Sequence, residues 1–280
     1  MALPRTTIAD YAQFAQAEGA RVIRKGGVWW RAVRPFFFRP LLPYLEHQPD
    51  VQLPSFRAAV GGFQHVVPAG ATANSRMEFM VFTDAPNYAL STLHSTRRWE
   101  VRTAVKRFSV RHIAGVDEFR QQAHPVYVSF YQRTHYSHFK ARVSPKHFSD
   151  WAESIYRQPG PMVLGAFDGT ELAAVSISRA IGHTLLLSTF FARREALHHH
   201  VASLMLHEVR TAAAESGDIS TVFAGLRKAG KAHSVDEFYL HRGCTIQALP
   251  ARLRVNPIAR LAMRAFTPAL LRHLIGERVP

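Results

Sequence analysis

Apolar and polar positions alternate along the chain with two periods, and their order divides it into helical and extended segments. Residues 7–18 place Ile8, Tyr11, Phe14 and Ala15 on one helical face, and Gly19 stops that run. "RVIR" and "VWWRAV" predict two strands turned at Lys25-Gly26-Gly27. Residues 39–54 carry Pro40, Pro43, Pro49 and Pro54 and predict an extended loop, whereas 55–71 show no decided period. Residues 76–84 predict a strand, 88–107 a helix, 108–114 a strand, and 115–139 a helix broken or bent at Pro125. A short helix is expected over 144–160, with Ser144 as cap and Pro145 in its first turn. From 161 to 192 three strands turn at Asp168-Gly169 and at Gly182-His183. Residues 193–217 predict one long helix with Leu197, Val201, Leu204, Met205 and Val209 as its stripe and Gly217 as its stop. A strand (219–226), a short helix (234–243), a final strand or pair of strands and an amphipathic tail (256–276) complete the chain.

At 280 residues, 47% of them hydrophobic, the chain suits one large domain or two modest ones with a real core. No stretch reaches the roughly 18 apolar residues of a spanning helix, and the first 20 residues lack the apolar run of a signal peptide. Charge changes the picture more. Lys and Arg total 35 against 20 Asp and Glu, a net +15, which favours anionic partners. The single cysteine, Cys244, excludes a disulfide framework and a cysteine zinc site, and a reducing cytoplasm is the expected location. The tail combines Arg252, Arg254, Arg260, Arg264 and Arg272 with Leu and Phe. Docking of that tail on the core is expected, with peripheral membrane attachment as the rival.

Three segments are candidates for chemistry. In "STRRWEVRTAVKRF" (95–108), Arg98, Arg102 and Lys106 recur every four residues opposite a stripe of Val101, Ala104, Val105 and Phe108. Five cations there meet one carboxylate, so the face is either solvated or turned toward an anion. The strand "TLLLSTFFA" runs through Arg193 and Arg194 into the long helix, whose first turn offers unpaired N–H groups to a pyrophosphate. His198, His199, His200 and His207 cluster there without an HExxH pattern, and no metal site is expected. In "SVDEFYLHRG", Glu237 and His241 are four apart and can pair on one face, so His241 is a candidate proton carrier. No GxSxG, GxGxxG or GxxxxGK[ST] motif is present.

"STRRWEVRTAVKRFSVRHI" resembles a segment of Fem-type aminoacyltransferases and their relatives in the GNAT superfamily, where basic residues precede a helix and a strand. "SVDEFYLHRGCTIQALPARL" resembles the ending of the same group, and "GVWWRAVRPFFFRPLLP" its aromatic, proline-rich N-terminal stretch. The resemblance implies an α/β (α+β) GNAT-like fold with a mixed, mostly antiparallel sheet flanked by helices, in tandem with a reduced N-terminal half. The expected division is 1–116, 117–255 and a helical tail 256–280. The implied activity is acyl transfer to an amine or hydroxyl on a small molecule or cell-envelope precursor. The donor would be acetyl-CoA or another acyl-CoA, or alternatively an aminoacyl-tRNA; a non-catalytic binding protein is the third reading. Donor contacts would fall on Phe190, Phe191, Ala192, Arg193, Arg194, His199, His200 and Val201. His241 would carry the proton, oriented by Glu237; Tyr239 would protonate the leaving group; Arg98, Arg102 and Lys106 would hold an anionic substrate. The family's glycine-rich loop is replaced here by "RREALHHH", and its lysine by His241.

Overall fold

The computed structural model describes residues 3–135, 139–227 and 234–276. In chain order, α1 (Ile8–Ala17) leads to the hairpin β1 (Val22–Lys25) and β2 (Val28–Arg34), closed at Gly26-Gly27, where both φ angles are positive. Next come β3 (Phe37–Pro40), α2 (Phe56–Val60), β4 (Gly62–Val66) and β5 (Ser75–Phe82), so the undecided stretch 55–71 holds a helix and a strand. α3 (Ser95–Val105) starts later than the expected 88, because a 3-10 turn at Leu90–Thr92 precedes it and His94 caps it. β6 (Phe108–His112) follows, then α4 (Val116–Thr134). α4 runs through Pro125 unbroken: one backbone donor is lost, but burial of Phe119, Ala123, Val126 and Tyr127 holds the helix. α5 (Pro145–Arg157) leads into the meander β7 (Pro161–Asp168), β8 (Glu171–Ile181) and β9 (Thr184–Ala192). Gly169 and Gly182 take positive φ in its two-residue turns.

The expected helix 193–217 is divided. α6 (Arg194–His198) ends at the histidine run, and His200 turns left-handed (φ 61°) before α7 (Val201–Ser216) begins. Three consecutive histidines are mediocre helix formers, and the His199 and His200 N–H groups bond back three residues to Ala196 and Leu197 in a tightened turn. β10 (Thr221–Leu226), α8 (Ser234–Leu240), β11 (Thr245–Val255), α9 (Pro257–Phe266) and α10 (Pro268–Ile275) finish the chain.

Two compact units form, and each is discontinuous in sequence. Unit 1 comprises 1–14, 82–224 and 242–244; unit 2 comprises 15–81, 225–241 and 245–280. The boundaries expected at 116 and 255 are not where the chain divides. Strand pairing overrides linear order: β6 pairs with β7, and β11 lies between β4 and β5.

Unit 1 carries the antiparallel run β6-β7-β8-β9, with β10 parallel to β9. On its core face Phe119, Tyr127, Phe148, Trp151 and Phe191 stack edge-to-face and face-to-face with ring centroids 5.3–6.1 Å apart. Unit 2 carries β1-β2-β3 antiparallel, β4 parallel to β3, and β11 antiparallel to both β4 and β5. One of its buried clusters gathers Val28, Trp30, Phe38, Ala58 and Phe63. Among the described residues no helix is long and apolar enough to cross a membrane.

Candidate functional site

In unit 1 the edge of β9 opens. β10 pairs with β9 only at Thr184–Leu186, while β9 continues to Ala192. Over the same stretch the β8–β9 register slips between Ile177 and Ser178, leaving Ser188 as the extra, bulged residue. Main-chain groups from Leu187 onward on the β10 side therefore lack a ladder partner. Strand edges of this kind seat carbonyl and amide ligands by β-type hydrogen bonds.

The expected donor residues lie along that strand and beyond it. The Phe191 ring is in the core against Tyr127 and Trp151, so only its main chain can face a ligand. Ala192 is buried and Phe190 half-buried. Arg193 leaves the strand, but its guanidinium donates to Glu171 at 2.9 Å and is spent there. Arg194 is exposed and close enough to Arg133, near the end of α4, to lower the Arg133 pKa after burial has already lowered it. Neither Arg194 nor Arg133 makes an ion pair among the described residues, so these two leave an uncompensated positive field. At α7, Ser203 and Leu204 donate to the His200 carbonyl, and the Val201 and Ala202 N–H groups remain for an acceptor. His200 packs edge-on against Trp99, centroids 5.2 Å apart, and His199 is exposed.

On α3 the cations sort into two groups. Arg97 pairs with Glu100, Arg107 reaches Asp168 and, on β6, Arg111 reaches Glu118. Those acids lie up to 61 residues away in sequence. Arg98 donates to the Ser91 carbonyl at 3.3 Å. Arg102 and Lys106 stay exposed, with no ion pair among the described residues. Val105, expected in the buried stripe, is exposed, and Glu100 is buried in its place.

Glu237, Tyr239 and His241 belong to unit 2. Glu237 and His241 are exposed; the His241 N–H donates to the Glu237 carbonyl, and no side-chain hydrogen bond joins the two among the described residues. The orienting pair expected from the four-residue spacing is thus not formed. In water such a pair is worth only about 0.2–0.5 kcal/mol, too little to hold the geometry. Tyr239 packs against Phe238, ring centroids 5.5 Å apart.

Sequence reasoning missed a buried polar network in unit 1. Arg242 donates to Glu100 (2.5 Å) and to Ser203 (2.9 Å), and Ser203 donates to Glu100 (2.8 Å). Burial pushes the Glu100 pKa up, but the Ser203 hydroxyl, Arg242 and Arg97 outweigh it and hold the carboxyl below its ordinary range. For Arg242, burial lowers the pKa and Glu100 recovers part of the loss. The Arg242 carbonyl accepts from Arg210 (2.6 Å), which forks onto Asp84 (2.8 and 2.7 Å) and lies 3.7 Å over the Tyr88 ring. The Tyr88 hydroxyl meets His207 Nδ1 at 2.9 Å. Burial pushes Tyr88 up to about 12 and, with Arg210, pushes His207 down, so near neutral pH the phenol donates to a neutral imidazole. Two signals were present: a lone acid in a basic helix, and an arginine within the apolar stripe of the 201–216 helix.

No protein-family model and no curated protein matches this sequence. Solved structures do match over nearly the full length. The C-terminal domain assigned to a lysylphosphatidylglycerol synthetase of Agrobacterium fabrum superposes with a TM-score of 0.60 at 11% identity, covering 91% of this chain and 90% of that one. FemX gives 0.59 at 8% identity, with 92% and 93% covered. L-PGS from Bacillus licheniformis gives 0.58 at 11% identity, with 95% and 93% covered. At these identities the likeness is one of backbone. With the mostly antiparallel sheet, it gives the chain a GNAT-like fold, the backbone that FemX and these synthetase structures share.

Proposed function

We propose that the protein is an acyltransferase that moves a carrier-bound acyl group onto an amine or hydroxyl. The observation that carries this reading is the opening of β9 from β10 beyond Leu186, with the bulge at Ser188. A donor laid along 187–192 would meet main-chain groups fixed before it arrives, and such groups stabilise a developing oxyanion without reorganising. The shared backbone of FemX and the lysylphosphatidylglycerol synthetase domain supports a transferase on this fold.

For an acyl-CoA donor, the pyrophosphate would use the Val201 and Ala202 N–H groups with Arg194 and Arg133 nearby. A second reading, an aminoacyl-tRNA donor, is favoured by a specific observation. The left-handed position before α7 is His200 rather than glycine, so a side chain stands at the seat, and Arg193 is committed to Glu171. The net +15 charge with exposed Arg102 and Lys106 suits a polyanion. His241 as proton carrier rests on the Fem-type resemblance alone.

The test is a thermal-shift titration with CoA, acetyl-CoA and aminoacyl-tRNA at low and moderate salt. A ligand confined to the folded state, at about 100 times its Kd, should raise Tm by roughly 5 °C. A saturable shift with CoA, lost in Arg194→Ala, assigns acyl-CoA. A shift only with tRNA, steeply weakened by salt, assigns the second donor. No shift with any of them overturns the transferase reading.

A further inference from the structure

The expectation that the C-terminal tail docks on the core holds for only half of it. α10 is anchored in unit 2: Leu271 and Leu274 are buried, and the Gln64 amide donates to the Leu274 carbonyl at 2.9 Å. α9 has no buried residue. Ile258, Leu261 and Phe266 are 79%, 68% and 85% exposed. At 100° per residue these three, with Ala262 and Ala265, span one apolar arc, and Arg260 and Arg264 fall opposite it. The helix is fixed at both ends. Asn256 caps it, its side-chain oxygen accepting from the Ile258 N–H at 2.9 Å, and α10 holds the far end.

The same end of unit 2 exposes more apolar surface. The Asn256 amide donates to the Ala59 carbonyl, so the start of α9 adjoins α2. On α2, Phe56 is 82% exposed and Val60 is also open. The Gly62 N–H bonds the Phe36 carbonyl, which brings in the exposed Phe36 ring at the β2–β3 turn. Between residues 251 and 276, and between 53 and 62, there is no acidic residue, and Arg57, Arg254, Arg260 and Arg264 are exposed.

We propose that this face of unit 2 is a docking surface for a lipid bilayer carrying anionic headgroups, with α9 lying in the interface and its apolar arc among the acyl chains. An amphipathic helix with arginines on its polar face and large apolar side chains on the other binds in this way without spanning. Charge decides among occupants. A second copy of the face would bring arginines against arginines, and a nucleic acid would leave the Ile258, Leu261 and Phe266 side chains in water. An anionic bilayer satisfies both halves of the helix.

The experiment is flotation of the full chain with vesicles of phosphatidylcholine alone and of phosphatidylcholine with 30% phosphatidylglycerol, at low and moderate salt. The expected result is at least tenfold stronger binding to the anionic vesicles, reduced at least tenfold in Leu261→Glu/Phe266→Glu and weakened in Arg260→Glu/Arg264→Glu. Because these side chains are exposed, Tm and circular dichroism should match the parent chain. Leu261→Ala/Phe266→Ala, with an intermediate loss, serves if the glutamates disturb folding. Three outcomes overturn the proposal: no binding to anionic vesicles; binding indifferent to the apolar substitutions, which would mean a general attraction of the +15 chain to anions; or a concentration-dependent dimer abolished by Leu261→Glu/Phe266→Glu without vesicle binding, which would give the face to a second copy.

Discussion

Two arginine-rich helices, α3 in unit 1 and α9 in unit 2, look alike as sequence and differ in kind as structure. Around α3 half of the charge is answered by carboxylates. Arg97 is held by Glu100, Arg107 by Asp168 and Arg111 by Glu118. Its apolar side is buried through Val101 and Ala104. Around α9 no acid stands within reach in sequence, and the apolar side faces outward. A count of cations therefore does not distinguish a helix built into a core from one presented to a partner. What distinguishes them is where the neutralising carboxylates come from and which face is covered.

The strongest way to break this comparison is to remove the carboxylate that ties α3 into unit 1. Glu100→Gln leaves the buried Arg242 without its charge partner, so the loss should be about 3–5 kcal/mol of stability, measured by urea unfolding at pH 7. Replacing both, Glu100→Leu/Arg242→Met, should recover most of the loss, since an apolar pair of similar volume carries no desolvation cost. The sign with pH follows from the direction of the shift. The Glu100 pKa is lower in the folded chain, so its contribution is complete above about pH 4.5 and is lost as the pH falls through the folded value. Unchanged stability in Glu100→Gln would mean that the network is not what fixes α3.

In unit 2 acid should act at a higher pH than it does on Glu100, through His65; His207, also pushed down by burial, adds a response of the same sign in unit 1. His65 is fully buried; burial pushes it down to about 4, with the Gln48 carbonyl opposing and His47, Arg254 and Arg252 adding to the fall. The unfolded chain takes up this proton near pH 6.5 and the folded chain only near 4, so stability should decline as the pH drops across that window. A difference of this size is worth about 3 kcal/mol at most. His65→Gln should flatten the decline between pH 6.5 and 4 without removing it, because burial also pushes His47 down. An equal slope in the variant and the parent chain would place the acid response elsewhere.

Nearly every element was legible in the sequence because the hydrophobic period and the turn residues agree: Gly26-Gly27, Gly169, Gly182 and Gly217 each punctuate a run where expected. The exceptions arise from local turn geometry and from groups distant along the chain. The helix expected over 193–217 breaks at His200 because three histidines tighten into a 3-10-like turn beside Trp99. The unit boundaries escaped notice because β11 pairs between β4 and β5, which no linear reading can show. The candidate site was legible as strand, loop and helix, but not the opening of β9 or the commitment of Arg193 to Glu171. Local spacing also suggested a Glu237–His241 pair, which the exposed ends of α8 do not form.

The smallest effect on stability, and the finest test of the contrast, concerns Arg102 and Lys106. They are the α3-segment cations left exposed without an ion pair among the described residues. Arg102→Ala/Lys106→Ala should change stability by less than about 0.5 kcal/mol, since neither side chain supports a buried partner. If they face the phosphates of a polyanionic donor, the same variant should weaken tRNA binding severalfold. It should also reduce the slope of log affinity against log salt by roughly 1.5–2, the share of two phosphate contacts. Filter binding at several salt concentrations reads both quantities. A weaker affinity with an unchanged slope would mean that the two cations shape the helix surface without touching phosphate. An unchanged affinity would make this face of α3 a solvated one and leave α9 as the better candidate for a partner of the molecule's positive field.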